Sequence, residues 1–317
     1  MTTPLVTVIT PCYDDNATLS LALASLQAQT MAEWECIVID DGSAPGVAAI
    51  VDSFGDRRLR YTSFDHNRGR PVARQRGLEL SRGQFICMLD ADDWYYPHKL
   101  EWQLDVLEEH PELMAVSSSM AVVDERGRLT GIRHFTDQPL QIRRCLPPRP
   151  PHIPFSPIMI RRQAAVAHRF DPRLRRSEDP DYLMRVLNGA LYGIMGRPTY
   201  VYQEQFSRES MEEALRAFEY QRIFYRDYLR QEPLPATRQY LWSVVKTLVY
   251  RGALAAGRGR WLFERRNRAP RPDEYAEFLE RRASVGERGR RARARAFAKG
   301  PRGQDAEEGQ GIGGASG

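Results

Sequence analysis

The sequence predicts an α/β fold: a mixed, mainly parallel sheet flanked by helices, with a C-terminal helical extension. Two observations support this prediction. Strand-length apolar runs alternate four times with helix-length stretches over roughly the first 100 residues, as in consecutive strand–helix units. From Ser210 onward the hydrophobic pattern has only the helical period. We therefore divide the chain into an α/β domain (residues 1–205), a helical extension (206–282) and a basic tail (283–317), which we expect to be disordered.

Four strands are predicted in the first part of the chain, at residues 5–10, 35–39, 59–64 and 84–89. The fourth is almost entirely apolar, which is typical of a strand buried on both faces. The intervening helices are predicted from Leu19, Leu23 and Leu26, from residues 47–54, and from Pro71, which suits the first turn of a helix. Parallel sheets bind ligands at the carboxyl ends of their strands. The polar loops after residues 9, 39 and 89 are therefore expected to meet.

The middle of the chain continues this pattern. Its predicted elements are a helix at 97–109, strands at 113–123, 128–133 and 158–160, a helix at 177–188, and strands at 194–195 and 199–202. The helical extension is expected to begin with a capping box, Ser210-Met211-Glu212-Glu213.

A helix predicted at residues 240–250 has one apolar face, formed by Leu241, Val244, Val245 and Leu248. We expect this face to pack against the α/β domain. Docking on an anionic membrane, helped by Arg251, Arg258, Arg260 and the basic tail, is the alternative.

The composition is that of a folded protein with a localised basic segment. With 42% hydrophobic and 10% aromatic residues, the chain can bury a sizeable core. The net charge of +5 arises in residues 281–302, which hold nine Lys or Arg and one acid, Glu287. Because this basic run contains one aromatic residue, Phe297, we expect no nucleic-acid partner. The four cysteines have no paired spacing and are expected to be reduced and buried.

No apolar run approaches the roughly 18 residues that a membrane-spanning helix needs, and the first residues do not resemble a secretory leader. We therefore expect a cytoplasmic protein. Peripheral association with the inner face of the membrane is an open alternative.

Three carboxylates follow the fourth predicted strand within four residues, at Asp90, Asp92 and Asp93. Carboxylates this close repel one another unless a cation neutralises them. Mg²⁺ and Mn²⁺ accept such oxygen ligands and complete their shells with substrate phosphates. Asp90 and Asp92 are therefore candidate ligands of Mn²⁺ or Mg²⁺. The alternative is an acidic turn that caps the helix near Pro97, which is the role we expect for Asp93.

The ends of the first two strands carry groups that suit a nucleotide. Tyr13, close to Pro11, can lay its ring against a base, and Asp41 can accept hydrogen bonds from a uracil imide or a ribose hydroxyl. Arg74 on the third helix can approach the same nucleotide. Taken alone, Asp40-Asp41-Gly42-Ser43 is equally a turn with a helix cap. The Asp-x-Asp run further along makes the pattern specific.

Five motifs resemble those of the family 2 inverting glycosyltransferases, which have the Rossmann-like GT-A fold. They are Ile9-Thr10-Pro11-Cys12-Tyr13, Val38-Ile39-Asp40-Asp41-Gly42-Ser43, Asn67-Arg68-Gly69 with Ala73-Arg74, Leu89-Asp90-Ala91-Asp92-Asp93, and Ser177-Glu178-Asp179-Pro180-Asp181-Tyr182-Leu183. The resemblance covers residues 4–205. It implies a GT-A glycosyltransferase domain, a nucleotide-diphospho-sugar donor, with UDP as the expected nucleotide, and a saccharide or lipid-linked acceptor in polysaccharide or glycolipid biosynthesis.

The resemblance also implies roles for single residues. Asp41, with Asp40 beside it, would recognise the base or the ribose. Asp92 would be the chief metal ligand, and Asp90 its neighbour near the sugar or ribose. Asp179 would be the general base that deprotonates the acceptor hydroxyl.

Physical reasoning supports the role of Asp179 in part. Inversion requires one base on the face opposite the leaving diphosphate, and a carboxylate just before Pro180 at a helix start is fixed in direction. The helix dipole is expected to keep this carboxylate ionised, which weakens it as a base. An N-cap role is the alternative for Asp179, and Glu178 is the reserve candidate for the base.

The sequence departs from the family pattern after the last predicted strand. Residues 202–208 contain no His, so Arg208 is the candidate contact to the diphosphate. On the expected acceptor side, His152 is a candidate for binding a hydroxyl or phosphate, although a lone His is more often structural.

Three other functions are alternatives to glycosyl transfer. A nucleotidyltransferase of related fold would share the metal carboxylates but needs a Gly-rich triphosphate loop, and residues 10–16 contain no Gly. A nicotinamide dehydrogenase needs Gly-x-Gly-x-x-Gly after the first strand, where this sequence has none. A non-catalytic sugar-nucleotide-binding protein stays compatible with the sequence.

Overall fold

A computed structural model describes residues 3–204 and 207–299, and the fold is the predicted α/β architecture. The sheet of this part of the chain has ten strands, in the order β3-β2-β1-β4-β9-β6-β10-β5, with β7 paired to β6 and β8 to β10. The strands are β1 (Val6–Cys12), β2 (Trp34–Asp40), β3 (Leu59–Ser63), β4 (Phe85–Met88), β5 (Trp94–Tyr95), β6 (Leu113–Val123), β7 (Leu129–Arg133), β8 (Leu140–Arg144), β9 (Met159–Arg161) and β10 (Leu191–Gln203).

Helices cover the sheet and continue beyond it. They are α1 (Leu19–Gln27), α2 (Val47–Ser53), α3 (Arg70–Leu80), α4 (Lys99–Glu109), α5 (Arg162–Val166), α6 (Glu178–Val186), α7 (Arg208–Tyr228), α8 (Pro233–Ala255), α9 (Gly259–Glu264) and α10 (Pro272–Lys299).

The sheet is buried on both faces because its central strands carry apolar side chains on both sides. In β1, Val6 and Val8 belong to one core and Ile9 to the other, as the alternation of a strand requires. Helices α1, α2, α4 and α10 cover the first core, and α3, α5 and α6 cover the second. At the crossing of α3 and β1, a Cβ on Gly77 would lie 2.3 Å from Ile9 Cγ2, so only glycine fits there.

The parallel half of the sheet brings three loops to one edge. Strand β1 pairs in parallel with both β2 and β4, and Cys12 lies opposite Asp40 while Ile9 lies opposite Met88. The loops after β1, β2 and β4 therefore begin side by side, at the edge where parallel sheets bind ligands. The loop after β2 turns at Gly42, whose φ of +78° favours glycine.

The far half of the sheet is mixed. Strand β9 lies between β4 and β6 and is antiparallel to both. The two strands predicted at 194–195 and 199–202 are a single strand, β10, whose register against β6 shifts near Pro198. Proline lacks the N–H that a ladder bond requires, so the pairing is interrupted while the strand continues.

The helical extension begins at a different cap from the predicted one. Ser207 is the N-cap of α7, because its side chain accepts a hydrogen bond from the backbone N–H of Ser210, while Ser210 Oγ accepts one from the N–H of Ser207. The capping box therefore starts three residues earlier than expected, with Ser in the place usually held by Glu or Gln. Helix α7 then packs through Phe224 onto Met184 of α6.

The predicted disorder of residues 283–317 is wrong for residues 283–299, which continue α10. Phe278 and Val285 of this helix are buried in the first core, and the ring of Phe278 lies 5.9 Å from that of Trp94. These two apolar residues, seven positions apart, indicate a docked helix, whereas the basic composition of the segment predicted disorder. Residues 300–317 lie outside the described residues.

The predicted packing of the apolar face of α8 is also wrong. Leu241, Val245 and Leu248 are exposed, whereas Ser243 and Thr247 on the other side of the helix are buried. Thr247 Oγ1 accepts a hydrogen bond of 3.0 Å from Arg222 of α7. Within the described residues, no helix is both long enough and apolar enough to cross a membrane.

We expect Phe278→Ala to lower the free energy of unfolding by about 3–5 kcal/mol, the usual cost of truncating a buried aromatic side chain. Urea denaturation followed by circular dichroism tests this. Leu279→Ala is the matched control because Leu279 is the next residue of the helix but is 47% exposed. It should cost less than about 1 kcal/mol. Equal stabilities of the two variants would contradict the docking of α10.

Candidate active site

The loops at the carboxyl edge of the sheet surround a cleft of about 580 Å³, a volume typical of small-molecule sites. Five of the predicted site residues line this cleft: Pro11, Tyr13, Asp41, Asp90 and Asp92. The structure therefore brings together groups from the ends of β1, β2 and β4, as the parallel pairing predicts. Asp40, Arg74 and Asp179 are not among the lining residues.

Arg74 lies beneath the cleft. Its guanidinium donates to Glu178 Oε1 at 2.7 Å and to Asp90 Oδ1 at 3.0 Å, and 3% of its side chain is exposed. It also lies 4.7 Å above the ring of Phe155, a favourable cation–π distance. The prediction that Arg74 contacts the nucleotide is therefore wrong for this arrangement. Arg74 is a positioning residue that joins α3 to the loop after β4 and to the start of α6.

Arg70, one turn before Arg74, is the arginine of α3 that lines the cleft. Our sequence reasoning missed it, although residues four apart share a helix face. Arg70 is exposed to the cleft. The dense protein around its guanidinium disfavours the charge, but Asp90, Glu178 and other nearby carboxylates outweigh this effect and raise the pKa of Arg70. Arg70 therefore stays positively charged in a cleft rich in carboxylates.

Asp90 and Asp92 differ in their electrostatic environments. Burial alone would raise the pKa of Asp90, but Arg74 and Arg70 lower it, helped by a hydrogen bond of 3.1 Å from Ser156 Oγ. Asp92 is exposed to the cleft. The dense protein around it, followed by the charges of Asp90 and Asp15, raises the pKa of Asp92 to about 6.

These environments determine how each carboxylate suits a metal ion. Asp92 is a cleft-facing oxygen donor that has no ion pair in the part of the chain that the structure describes, and this donor chemistry fits Mn²⁺ or Mg²⁺. Asp90 fits less well because its oxygens already accept from Arg74 and Ser156. Across residues 3–204 and 207–299, no three or more His, Cys, Asp or Glu side chains are grouped to hold a metal.

Asp41 lines the cleft, but its carboxylate also anchors the protein backbone. Its two oxygens accept hydrogen bonds of 2.8 Å from the N–H groups of Arg68 and Gly69, which directly precede α3. Asp41 thereby holds the loop that carries Arg70. Each oxygen keeps a second lone pair, so the predicted contact with a base or ribose stays a prediction.

Asp40 does not point into the cleft as we predicted. Its carboxylate accepts from Tyr61 Oη at 2.8 Å and from the backbone N–H of Ser43 at 2.8 Å. These bonds fix the turn after β2 and tie it to β3. Successive residues at a strand end point to opposite sides, which explains why only one of the two neighbouring acids reaches the cleft.

Helix α6 begins with two acids in different states. Glu178 is buried and ion-paired with Arg74, so this reserve candidate for the base is already neutralised. Burial, followed by the negative charge of Glu178, raises the pKa of Asp179 to about 6. The expectation that the helix start makes Asp179 a weak base is therefore wrong. A carboxylate with a pKa near neutrality suits general-base catalysis.

Asp179 is not the N-cap of α6, which was the alternative role for this residue. This helix has no side-chain hydrogen bond at its N-cap, Ser177. Ser177 has a φ of +57°, a conformation that is uncommon for residues other than glycine. Its hydroxyl donates instead to the carbonyl oxygen of Ala217 in α7 at 3.1 Å. Ser177 therefore joins α7 to the start of α6.

The wall of the cleft opposite the sheet edge was not predicted. Arg175 and Arg176, before α6, and Arg216 and Tyr220, on α7, line it. Arg176 is ion-paired with Glu213, whereas Arg175 and Arg216 are exposed. Guanidinium groups bind phosphate oxygens well. The position of Arg175 and Arg176 beside the fifth motif was an available signal, but nothing local distinguishes Arg216 from the other arginines of the extension.

Three further expectations can be compared with the structure. The ring of His152 packs against Phe135 at 5.4 Å and does not line the cleft, so its place is structural. Asp93 is buried and accepts from Tyr200 Oη at 2.7 Å. This bond ties the loop after β4 to β10, so Asp93 does not cap α4.

The four cysteines are free and buried, as predicted. The side chain of Arg208 lies outside the described residues, so its contact with a diphosphate stays a prediction.

The combination of fold and cleft matches a known family. A family model described as glycosyl transferase family 2 matches residues 7–169, just over half of the chain. The chain belongs to this family. The match runs from β1 to the end of α5 and includes every loop at the sheet edge of the cleft. Asp179 lies beyond the matched residues, so its role depends on the local geometry.

Relatives with assigned names match part of the chain. The UDP-Glc:alpha-D-GlcNAc-diphosphoundecaprenol beta-1,3-glucosyltransferase WfgD of Escherichia coli is 35% identical over 103 residues, which cover 32% of this chain and 41% of that protein. The succinoglycan biosynthesis protein ExoO of Rhizobium meliloti is 33% identical over 137 residues, covering 43% and 38%. The chain thus spans about two fifths of the length of these relatives.

A solved structure confirms the fold class. The crystal structure of residues 1–349 of S. aureus TarS in complex with UDP-GlcNAc has a TM-score of 0.59 to this chain, at 17% identity. The match covers 92% of this chain and 88% of that one. At this level of identity, the likeness establishes the GT-A type fold with its C-terminal helices.

We expect Asp41→Ala to weaken the binding of nucleoside diphosphates by about tenfold, or 1.4 kcal/mol, because the loop before α3 loses its anchor. Titration calorimetry with UDP, GDP and ADP measures this. Asp65→Ala is the control because Asp65 is an exposed acid in the same loop. An unchanged dissociation constant for Asp41→Ala, with each of the three nucleotides, would remove Asp41 from the site.

Proposed function

We propose that the protein is an inverting glycosyltransferase that moves a sugar from a UDP-sugar to an acceptor hydroxyl. The observation that carries this proposal is the cleft, where acids at the strand ends share one cavity with the arginines Arg70, Arg175 and Arg216. Asp179 does not line this cleft, but it directly follows Glu178, whose ion pair with Arg74 joins it to Asp90. Asp179 is half-buried, and its pKa is raised to about 6. Family membership supports glycosyl transfer as the class of reaction. The UDP named in the WfgD and TarS matches supports the choice of nucleotide.

The base and ribose would bind where β1 and β2 end. Tyr13 is 47% exposed in the cleft, so its ring is open for stacking on a flat base. Pro11 lines the same end of the cleft and restricts the backbone there. Asp41 supplies acceptor oxygens for an imide N–H or a ribose hydroxyl.

The diphosphate would lie between Asp92 and the arginine wall. Arg70, Arg175 and Arg216 converge on the cleft from α3, from the segment before α6 and from α7. Their guanidinium groups can bind phosphate oxygens and stabilise the charge that develops on the leaving diphosphate. Asp92 would hold Mn²⁺ or Mg²⁺, with Asp90 beside it. When bound, such an ion supplies additional positive charge at the diphosphate.

Asp179 would take the proton from the acceptor hydroxyl. Direct displacement at the anomeric carbon needs one base and no covalent bond to the protein, and it inverts the configuration. Asp179 is better suited than Glu178, because the ion pair with Arg74 keeps Glu178 from acting as a base. The names of the relatives support an acceptor that is a saccharide or a lipid-linked saccharide of a cell-surface polysaccharide or glycolipid. We propose that the transfer takes place in the cytoplasm, at the inner face of the membrane.

We expect Asp179→Asn to lower the turnover number by roughly 10²–10⁴-fold, the contribution of general-base catalysis, with little change in donor affinity. Transfer from a panel of radiolabelled UDP-sugars to saccharide acceptors measures this. Asp181→Asn is the matched control because Asp181 lies on the same helix but is bonded to Arg185, and it should retain most of its activity. A fully active Asp179→Asn enzyme would overturn the assignment.

The pH dependence and the stereochemistry provide further tests of the same base. Only the ionised form of Asp179 accepts a proton, so the rate should fall as the pH drops below about 6. In excess Mn²⁺, which keeps the metal ligand Asp92 ionised, that decline should be absent from the residual activity of Asp179→Asn. NMR of the first product formed should show the inverted anomer. Retention of configuration would contradict direct displacement.

We expect Asp92→Asn to abolish transfer while the thermal unfolding temperature stays close to that of the wild type, because Asp92 faces the cleft. Excess chelator should abolish transfer by the wild type, and Mn²⁺ or Mg²⁺ should restore it. Asp65→Asn, which alters an exposed acid outside the cleft lining, is the control. Full turnover of the wild type in chelator would exclude the metal requirement.

A further inference from the structure

Helix α8 has its apolar side turned outward. Leu234, Leu241, Trp242, Val245, Leu248 and Val249 are 83%, 57%, 57%, 42%, 64% and 51% exposed. At 100° per residue, these six side chains fall on one side of the helix. The opposite side holds Ala236, Ser243 and Thr247, all buried. The helix therefore packs through small side chains and presents its large ones to its surroundings.

The contacts of α8 explain this orientation. The helix packs on α7, where Lys246 Nζ donates to Gln221 Oε1 at 3.1 Å, and the rings of Phe218 and Tyr250 lie 5.0 Å apart. These polar and aromatic contacts hold α8 in place without the six exposed apolar residues. A contiguous apolar face of this kind is uncommon on a soluble surface and marks an interaction site.

The charge around the apolar face is strongly positive. Residues 233–266, which comprise α8, α9 and the two residues after it, contain seven Lys or Arg and one acid, Glu264. Arg238, Arg251, Arg258 and Arg260 are exposed. An excess of cations beside exposed apolar side chains is the composition that binds an anionic lipid surface, because the headgroups attract the cations while the acyl chains receive the apolar groups.

Two tryptophans lie in this region. Trp242 belongs to the apolar face, and Trp261 of α9 is 55% exposed, with the guanidinium of Arg265 4.7 Å from its ring. Tryptophan and arginine both favour the boundary between headgroups and acyl chains. A second copy of this chain is a poorer occupant, because a symmetric contact would bring two surfaces of net charge +6 together.

We propose that the exposed face of α8, together with α9, docks the protein on an anionic lipid bilayer as a peripheral membrane protein. Membrane docking itself does not require the proposed function. Only its link to a lipid-linked acceptor rests on the proposed glycosyl transfer. Helix α7 joins the two regions, because Arg216 and Tyr220 line the cleft while Phe218 and Gln221 contact α8. Docking would therefore hold the cleft one helix away from the lipid surface, where a lipid-linked acceptor is presented.

The test is binding of the full chain to vesicles of phosphatidylcholine alone and of phosphatidylcholine with phosphatidylglycerol, by co-sedimentation and tryptophan fluorescence. We expect binding to the anionic vesicles, a blue shift of the emission, and weaker binding as salt screens the headgroups. Leu241→Ser with Leu248→Ser should weaken binding by about tenfold or more, as should Arg258→Gln with Arg260→Gln.

Ile142→Ser with Leu146→Ser is the matched control, because these apolar residues are 40% and 65% exposed outside α8 and α9, and it should bind as the wild type does. UDP binding, measured in parallel, should be unchanged in every variant, so a failure of the nucleotide site is distinguished from a failure of docking. Absence of wild-type binding to anionic vesicles would overturn the proposal. So would equal binding of the Leu241→Ser/Leu248→Ser variant, or a wild-type dimer that the same substitutions dissociate.

Discussion

The geometry of the cleft depends on one buried arginine. Arg74 joins three parts of the chain that are distant in sequence, because it belongs to α3 and donates to Asp90 after β4 and to Glu178 at the start of α6. A planar guanidinium holds two carboxylates at fixed angles better than an ammonium group can. Removing one partner from such a buried pair typically costs about 3–5 kcal/mol. The position of α6, and of Asp179 on it, therefore depends on this network.

The network divides the carboxylates into two groups. Asp40, Asp90, Asp93 and Glu178 accept hydrogen bonds from the protein and maintain its shape. Asp92 and Asp179 have no side-chain hydrogen bond or ion pair within the described part of the chain, and burial and the neighbouring acids raise their pKa values to about 6. A carboxylate whose charge is not satisfied by the protein gains most from a cation or a proton of the substrate. The electrostatic imbalance of the cleft is thus what makes these two acids suitable for chemistry.

Helix α7 connects the two surfaces on which the proposals rest. Arg216 and Tyr220 of this helix line one wall of the cleft, and the hydroxyl of Ser177 holds the helix to the start of α6. Another side of the same helix supports α8. Because one helix makes both contacts, the orientation of the apolar face of α8 is coupled to the arginine-lined wall of the cleft.

The sequence by itself determined the order of strands and helices in the α/β domain, the edge at which its loops meet, and the family. These properties follow from local hydrophobic periodicity and from the residues at the ends of parallel strands. Both can be read from short stretches of sequence. It ranked Asp41 above Asp40 and Asp179 above Glu178 only through the family resemblance, and it selected Arg74 of α3 where Arg70 lines the cleft. Each of these choices depends on which side of a strand or helix faces the cleft, and contacts between distant segments decide that.

The sequence predicted the C-terminal helices less well than the α/β domain. The basic composition of residues 283–299 predicted disorder, but Phe278 and Val285 dock α10 on the sheet domain. The leucines of α8 predicted packing, but Ser243 and Thr247 form the contact and leave those leucines exposed. Hydrophobic periodicity identifies an apolar face, but only the tertiary structure determines whether another part of the chain covers it. The reason is physical: small polar side chains allow helices to approach closely, and their hydrogen bonds can hold a helix in either orientation.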